Sequence, residues 1–562
     1  MVEAGLPPYI RNSYSKNKPT NKSAGYFYAL QTLPENLVFQ SHFDYLRIHF
    51  FISGNFNSKC YLHFMDELNS ITIQDGSGYV LAAFAGYLII LFGIGIYSAR
   101  FSSEGIAEFF IGGRKMNRLV VALSAVVSGR SAWLLLGVTG MAYAQGASAL
   151  WAAVGYIIVE WFLFMYYAKR LRTFSERYDC ITVPDFFAER FDDKNGSLRI
   201  ILVVIFLVFM VSYVASQFVA GGKAFASSFG LAQNTGVMIT AAIILLYTVL
   251  GGFLAVSLTD TIQAFFMIIA LVFLPIIAIY DMGGWSVVMN ELQLQDAAFI
   301  DPTALGFGAF IGFIGIGLGS PGNPHILSRY MSIDDAKQLK YAAVVGTIWN
   351  VLMAGGAILI GLVGRAYFPE VDMLPGSDTE NLYPLLAQNQ LHPVLFGIVV
   401  ASIFAAIMST ADSQLLVAAS SVVRDIYDKL IKKDEEIPQK KLVLYSRIVV
   451  VLLVIISLIF GLVAQNIVFW LVLFAWAGLG ASIGPTSILA LYWKKTTKAG
   501  VIAGLLTGTT VTMIWYFVPI LKNNLYELIP AFTLSWLATW GVSKFTQTPD
   551  KLEEHFEELT KP

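Results

Sequence analysis

Charge is what this chain has least of. Of 562 residues only 13% are charged while 56% are hydrophobic, and 37 basic against 38 acidic residues leave a formal net charge of -1. So sparse and balanced a charge excludes a basic nucleic-acid surface and the solvated exterior of a large soluble domain. Cysteine is scarcer still: Cys60 and Cys180 cannot build a disulfide framework or a thiolate metal site. The short polar segments hold no P-loop, nucleophile–base constellation or metal-ligand spacing, so no enzyme is expected. What the chain does have is apolar runs of membrane-spanning length and a mean hydropathy of +0.65. Those describe an all-α, polytopic membrane protein.

The first 75 residues differ from the rest. They are polar and irregular, with Pro7-Pro8 and an Asn/Lys/Ser-rich run from Asn12 to Ser23, and no signal-peptide core follows a basic start. Residues 1–75 are expected to be a disordered or adventitious extension, with Met65 as an alternative start. Residues 76–545 form the transmembrane domain, and 546–562 a cytoplasmic tail.

Hydrophobic windows give about thirteen spans: 78–99, 117–144, 147–168, 198–220, 234–255, 259–280, 304–321, 341–364, 392–418, 442–464, 466–492, 499–519 and 526–543. Lys and Arg crowd alternate loops, including Arg100, Arg114 and Lys115, then Lys169 to Lys194, then Arg329 to Lys340, then Arg424 to Lys441. The intervening loops hold little beyond Lys223, Arg365 and Lys522. The positive-inside rule then puts the N-terminus outside and the C-terminus in the cytoplasm of a cell (inner) membrane. The loop 369–392 is long and acidic, either a vestibule or lid or plain solvated surface.

Two spans are interrupted. The second breaks at Ser128-Gly129-Arg130-Ser131, about a dozen residues from either flank, so Arg130 sits near mid-membrane, too deep to snorkel. It is either functional or paired with a buried acid. The seventh carries Gly312, Gly315, Gly317 and Gly319 before Ser320-Pro321-Gly322-Asn323-Pro324 and should unwind as well. Five spans separate the two breaks, which suggests a five-plus-five inverted repeat whose first helices break at a shared site. In the ninth span Ser409, Thr410 and Ser413 share a helical face with Asp412 near its edge. Hydroxyls with main-chain carbonyls suit a hard cation such as sodium, although any one hydroxyl could instead bond back to its own helix.

Several runs are characteristic: Phe109-Phe110-Ile111-Gly112-Gly113-Arg114, residues 251–260 (Gly-Gly-Phe-Leu-Ala-Val-Ser-Leu-Thr-Asp), Pro324-His325-Ile326-Leu327-Ser328-Arg329, Met408-Ser409-Thr410 and Ala475-Trp476-Ala477-Gly478. With them the chain resembles the sodium/solute symporter family, most closely its bacterial sodium/proline symporters, over about residues 75–545. The resemblance implies thirteen helices, the five-plus-five core and alternating access. It also implies a sodium site from the carbonyls of Val127, Arg130 and Ala406 and the hydroxyls of Ser409 and Thr410. Ser131 and Trp133 match the serine and tryptophan that follow the helix break, Tyr213 a tyrosine near the substrate, and Asp260 an acid linked to cation handling. Proline symporters typically read Ser-Asp-Met-Ser-Gly-Trp where this chain reads Ser128-Gly129-Arg130-Ser131-Ala132-Trp133, and aromatics of their seventh span are replaced by Ile316 and Ser320.

The expected function is import of a small organic solute, an amino acid such as proline or a related carboxylate, by secondary active transport. The solute should lie near Ser128, Ser131, Trp133, Tyr213, Ile316 and Ser320. Loss of two aromatics should enlarge that cavity and favour a bulkier solute over proline, with Arg130 able to attract a carboxylate. Coupling is assigned to Arg130, Asp260 and Asp412. In one reading Arg130 reaches Ser409, Thr410 and Asp412, replaces the sodium ion and leaves transport sodium-independent or proton-driven; in the other it points away and sodium binds. A channel and a membrane sensor are the alternatives of another class. The partners expected are the solute and the bilayer, with no nucleic acid, no obligatory protein partner and no cofactor beyond a coupling sodium ion.

Overall fold

The computed structural model describes residues 77–102, 105–433, 435–463, 468–547, 553 and 556–557. The expected N-terminal extension and most of the tail lie outside them. An apolar chain without water to satisfy its amides must close its hydrogen bonds within each segment. Accordingly the described residues are helical, and their β structure is one isolated bridge between Met116 and Ile333.

The main helices are α1 (Ser77–Ser102), α2 (Arg118–Ala132), α3 (Leu150–Phe162), α4 (Ser197–Phe229), α5 (Gln233–Asp281), α6 (Phe307–Ile314), α7 (Pro324–Ser332), α8 (Leu339–Tyr367), α9 (Pro393–Ser420), α10 (Gln439–Val463), α11 (Val468–Tyr492), α12 (Lys498–Phe517) and α13 (Leu528–Phe545). Among the described residues nine helical stretches are long and apolar enough to cross a membrane, with Gln233–Val249 and Phe307–Gly322 as shorter apolar ones.

Local chemistry sets the ends. Asn117 caps α2 by accepting from Leu119 N at 2.8 Å, and Thr497 caps α12 by accepting from Gly500 N at 3.2 Å. Pro393 opens α9, where its missing N–H is harmless. The stretch Arg118–Arg177 holds 60 residues. Straight, it would run about 90 Å, roughly three bilayer cores, and it turns at Gly146 (φ 71°, ψ -148°). In α5 the turn is at Gly252 (φ 60°, ψ -168°), a few residues before the expected gap at 256–258, because that backbone shape favours a residue without Cβ.

Burial sorts the helices into centre and periphery. The most apolar window is 89% buried in Arg118–Arg177 and in Val468–Tyr492 and 83% buried in Pro393–Ile431, against 28% for Gly78–Arg100 and 33% for Lys498–Phe517. The central helices are those with hydroxyls and charges, while the outer ones present Ile89, Ile96, Phe273, Ile456 and Ile514 outward. Polar groups are thus enclosed by protein and apolar ones face lipid. α2 packs against α5, α8 and α9. The broken stretch Gly315–Gly322, a 3-10 turn, packs against α3 and α11. Flanking the two breaks, Met116 N donates to Ser332 O at 3.1 Å and Asp334 N to Met116 O at 3.0 Å, which ties the entry of α2 to the exit of α7.

One end of the molecule is fastened by arginines on helix C-termini, where free carbonyls accept and the dipole favours a cation. Arg170 Nη1 reaches Leu491 O at 2.8 Å and Arg190 Nε reaches Ala490 O at 3.1 Å, both in the last turn of α11. Arg172 Nε donates to Ile333 O at 2.7 Å, beyond α7. The basic loops that mark this end in the sequence thus also hold it together.

Where α3 meets the second break the backbones touch. A Cβ on Gly155 would fall 2.1 Å from Ile314 O, and one on Gly317 would fall 2.3 Å from Gly155 O. Gly155→Ala should therefore destabilise by about 1–3 kcal/mol through overpacking. Gly86→Ala, where nothing lies within 4 Å, should not. Thermal unfolding of both variants in detergent checks this, and equal melting temperatures would refute it.

Candidate functional site

The first break is at Ser131, a non-glycine at φ 53°, ψ -172°, rather than at Gly129. A residue with a Cβ held at positive φ stores strain, and neighbours on other helices over-determine it. Gln217 of α4 accepts from Ala132 N at 3.1 Å, Ser131 Oγ accepts from Trp133 N at 3.1 Å, and Tyr213 Oη donates to Ser131 Oγ at 3.4 Å. The chain continues as a π-helix, Trp133–Val138. Across the break Thr410 of α9 donates to Ser128 O at 2.9 Å. At the second break Trp476 of α11 donates its indole N–H to Ile316 O at 2.8 Å.

Arg130 does not lie where a sodium surrogate was expected. Its guanidinium turns from Ser409, Thr410 and Asp412 toward α3 and α8. Nε donates to Asn350 Oδ1 at 2.9 Å, Nη2 pairs with Glu160, and Cζ sits 3.8 Å from the Tyr156 ring centroid. Asn350 Nδ2 donates to the other Glu160 oxygen at 2.8 Å. Arg130 and Glu160 are almost fully buried, so a cation unpaired there would cost several kcal/mol, and Glu160 removes that cost. The sequence hint was local: a Cβ on Gly129 would lie 3.7 Å from Glu160 Oε1. An acid supplied by α3 thus stands beside the position where the resembled symporters carry an aspartate.

The cation beside the polar face of α9 is Arg329 of α7, which loop charge assigns to a basic loop but which is buried. It donates to Ser124 Oγ at 3.0 Å, to Asp260 Oδ2 at 3.2 Å, to His325 O at 2.7 Å and to Ser413 Oγ. Asp260 Oδ2 also accepts from Ser124 at 2.6 Å and Ser128 at 3.1 Å. Asp412 meets Ser413 at 3.2 Å through Oδ1, while Asp412 Oδ2 and Asp260 Oδ1 have no protein partner. The coupling residues therefore divide: Asp260 and Asp412 join this cluster and Arg130 does not.

Val127, Ala406, Ser409 and Thr410 are fully buried. Both hydroxyls already donate, Ser409 to Ala406 O at 3.1 Å and Thr410 to Ser128 O at 2.9 Å. A hydroxyl whose proton is committed presents only lone pairs, the form in which it ligates a hard cation.

Between the breaks lies a cavity of about 10 Å³ lined by Gly129, Arg130, Trp133, Tyr213, Ile316, Val472, Leu473 and Trp476. Of the expected solute residues it brings together Trp133, Tyr213 and Ile316. Ser128, Ser131 and Ser320 stay behind its wall, and Trp476, known only as part of a motif, joins it. Trp476 closes over Ile316, and Trp133 stacks on Phe469 at 5.8 Å. That volume holds about one water. A larger cavity of about 160 Å³ adjoins it through Ile316 and Leu473 and reaches Lys522 and Glu527.

Both ends carry charged fastenings. In the acidic loop, Lys223 of α4 pairs with Asp378 and Glu380 at 2.5 Å each, and Glu380 accepts from Val468 N and Phe469 N at 3.0 and 2.8 Å, at the start of α11. Burial pushes the Glu380 carboxyl above its usual range, although Lys223 pulls it down. This part of the loop is docked rather than solvated, whereas Asp372 is exposed. At the other end Asp185 takes Arg199 at 2.6 Å and Arg424 at 3.3 Å, and Asp425 pairs with Arg199. Burial opposes the Asp185 charge, but Arg424 and Arg199 outweigh it and hold that carboxyl below its usual range.

Residues 109–508 match the model of the sodium:solute symporter family. A protein named sodium/proline symporter from Staphylococcus aureus (strain JH9) is 39% identical over 485 residues, covering 84% of this chain and 93% of the relative. The fold is shared with a Na+-coupled sialic acid symporter solved in a substrate-bound outward-open state, at TM-score 0.72 and 18% identity over 84% of this chain and 98% of that one. A nucleobase-cation-symport-1 family transporter in a closed conformation superposes at TM-score 0.52 and 12% identity, over 81% and 99% of the two chains.

Removing one member of the Arg130–Glu160 pair should be far worse than removing both. Arg130→Met should lose about 3–5 kcal/mol by stranding a buried carboxylate, and adding Glu160→Gln should recover most of it. Melting temperatures of the single and double variants decide; a single variant as stable as the double would contradict the pairing.

Proposed function

The chain belongs to the sodium:solute symporter family and is a sodium-coupled secondary transporter, and from that premise we propose that it imports a small amino-acid-like solute, proline or a related carboxylate, through the cavity between its two helix breaks. The observation that carries the reading is the meeting of both breaks at one cavity, with Trp133, Tyr213, Ile316 and Trp476 around an apolar centre. The relatives named sodium/proline symporter support a solute of proline's class. Thirteen crossings in a five-plus-five arrangement, with the C-terminus in the cytoplasm, agree with the turns at Gly146 and Gly252 and with the basic loops.

Sodium is bound, in this reading, by the carbonyls of Val127, Arg130 and Ala406 and the hydroxyls of Ser409 and Thr410. Arg130 contributes its backbone alone, which the direction of its side chain supports, and the sodium-independent reading falls away. Asp260 and Asp412 with Arg329 form the adjoining charged relay. The Glu380 fastening is the outer latch and the Asp185 cluster the inner one. Alternating access follows if a solute between the breaks stabilises a state in which one set of pairs is open.

Two measurements test this. Uptake of labelled proline into proteoliposomes should vanish without sodium, and Ser409→Ala or Thr410→Ala should raise the half-saturating sodium concentration on the order of tenfold, the worth of a charge-assisted contact of about 1.5 kcal/mol; undiminished uptake in sodium-free buffer would refute it. Solute placement is tested separately. Tyr213→Ala and Ile316→Ala, both at lining residues, should each weaken apparent solute affinity, and the cavity is misassigned if neither does.

A further inference from the structure

Two side chains that line the central cavity, Arg130 and Trp133, have N–H groups outside the hydrogen bonds described above. Arg130 has three nitrogens, of which Nε is held by Asn350 and Nη2 by Glu160, while Nη1 takes part in neither bond. Glu160 uses both carboxylate oxygens and Asn350 both ends of its amide in closing this ring. With Tyr156 against its face the guanidinium is fixed in plane and orientation. Trp133 lines the same cavity, and its indole Nε1 is buried with no hydrogen-bond partner. A buried donor left unsatisfied is costly, and such groups in a working site mark where a ligand atom belongs.

We propose that Arg130 Nη1 and Trp133 Nε1 are the receptor for the solute's carboxylate, with Glu160 and Asn350 as the positioning residues that present Arg130. The inference rests on reading this cavity as the solute site. Donors on two residues that line one cavity match in number the two oxygens of a carboxylate, and a fixed guanidinium binds it better than a mobile one. Charge decides the rest of the solute. Because Glu160 cancels Arg130, the empty cavity is neutral, and a lone carboxylate would bring an uncompensated negative charge into the membrane interior. A zwitterion carries its own cation. The solute class is therefore a free amino acid, with its apolar body against Tyr213, Ile316 and Trp476, and not its amide, its ester or a sugar.

The test pairs acids with their amides: L-proline with L-prolinamide and L-leucine with L-leucinamide, binding to purified protein with sodium present. Wild type should bind at least one acid on the order of tenfold more tightly than its amide, about 1.4 kcal/mol. In Arg130→Met/Glu160→Gln, and in Trp133→Phe, which removes only the indole N–H, that preference should fall to about threefold or less. Asn350→Ala should weaken the acid and leave the amide unchanged, which a merely structural role would not do. The receptor is overturned if no acid binds, if the amides bind equally well, or if the variants keep the wild-type preference. Should proline be silent while leucine behaves as described, the proline reading fails and the receptor stands. Should proline be carried with sodium while the variants discriminate normally, the receptor fails and the transport reading stands.

Discussion

A backbone amide or carbonyl freed inside a membrane has no water to turn to, and the architecture follows from where such groups are allowed. Both helix breaks are enclosed by the most buried helices, and each freed group described above finds a side chain of another helix. Gln217 takes Ala132 N, Thr410 takes Ser128 O and Trp476 takes Ile316 O. These three contacts come from α4, α9 and α11. The helices around the site are thus joined to its two unwound segments by a few hydrogen bonds, each replaceable by a bond to a solute or an ion. The freed backbone groups of such a site are satisfied when it is empty, while the Trp133 indole N–H is left without a partner.

The same scarcity of water governs charge. Four sets of opposite charge lie inside the protein: Arg130 with Glu160, Arg329 with Asp260, Lys223 with Asp378 and Glu380, and Arg199 and Arg424 with Asp185 and Asp425. Buried pairs add little net stability because desolvation offsets their attraction, but breaking one is expensive. They therefore specify which helices sit together more than how tightly. The sets near the two ends join elements that the chain itself leaves separate, α4 to the acidic loop and α11 at one end, and α4 to the end of α9 at the other. Such links are suited to exchange between two arrangements, because each helix can move once its pair is released.

Two corrections have a common origin. Sequence spacing places Arg130 at a break facing α9, and a cation at that depth needs an acid; the nearest acid along the helix-face argument is Asp412. The structure instead supplies Glu160 from α3, thirty residues along the chain, and gives the polar face of α9 the guanidinium of Arg329. Loop charge places Arg329 in a basic loop, yet it lies buried beside α9. In each case the deciding partner comes from a helix whose rotation about its own axis no hydropathy window reports.

What the sequence determined by itself is whatever depends on the chain's immediate surroundings: the membrane class, from apolar runs of bilayer length; the two breaks, from glycine and proline where a helix cannot close its bonds; the basic end, from loop charge; and the family, from its motifs. The hydroxyls of Ser409 and Thr410, with the rings of Trp133 and Tyr213, were legible for the same reason. What only the tertiary structure decided is pairing across helices: Glu160 with Arg130, Arg329 with Asp260, Glu380 with the first amides of α11, and Trp476 with the second break. In a low-dielectric interior the energy of a charge or a free donor is set by the few ångströms around it. Which side chain occupies those ångströms is fixed by how the helices pack, and helical periodicity alone cannot supply it.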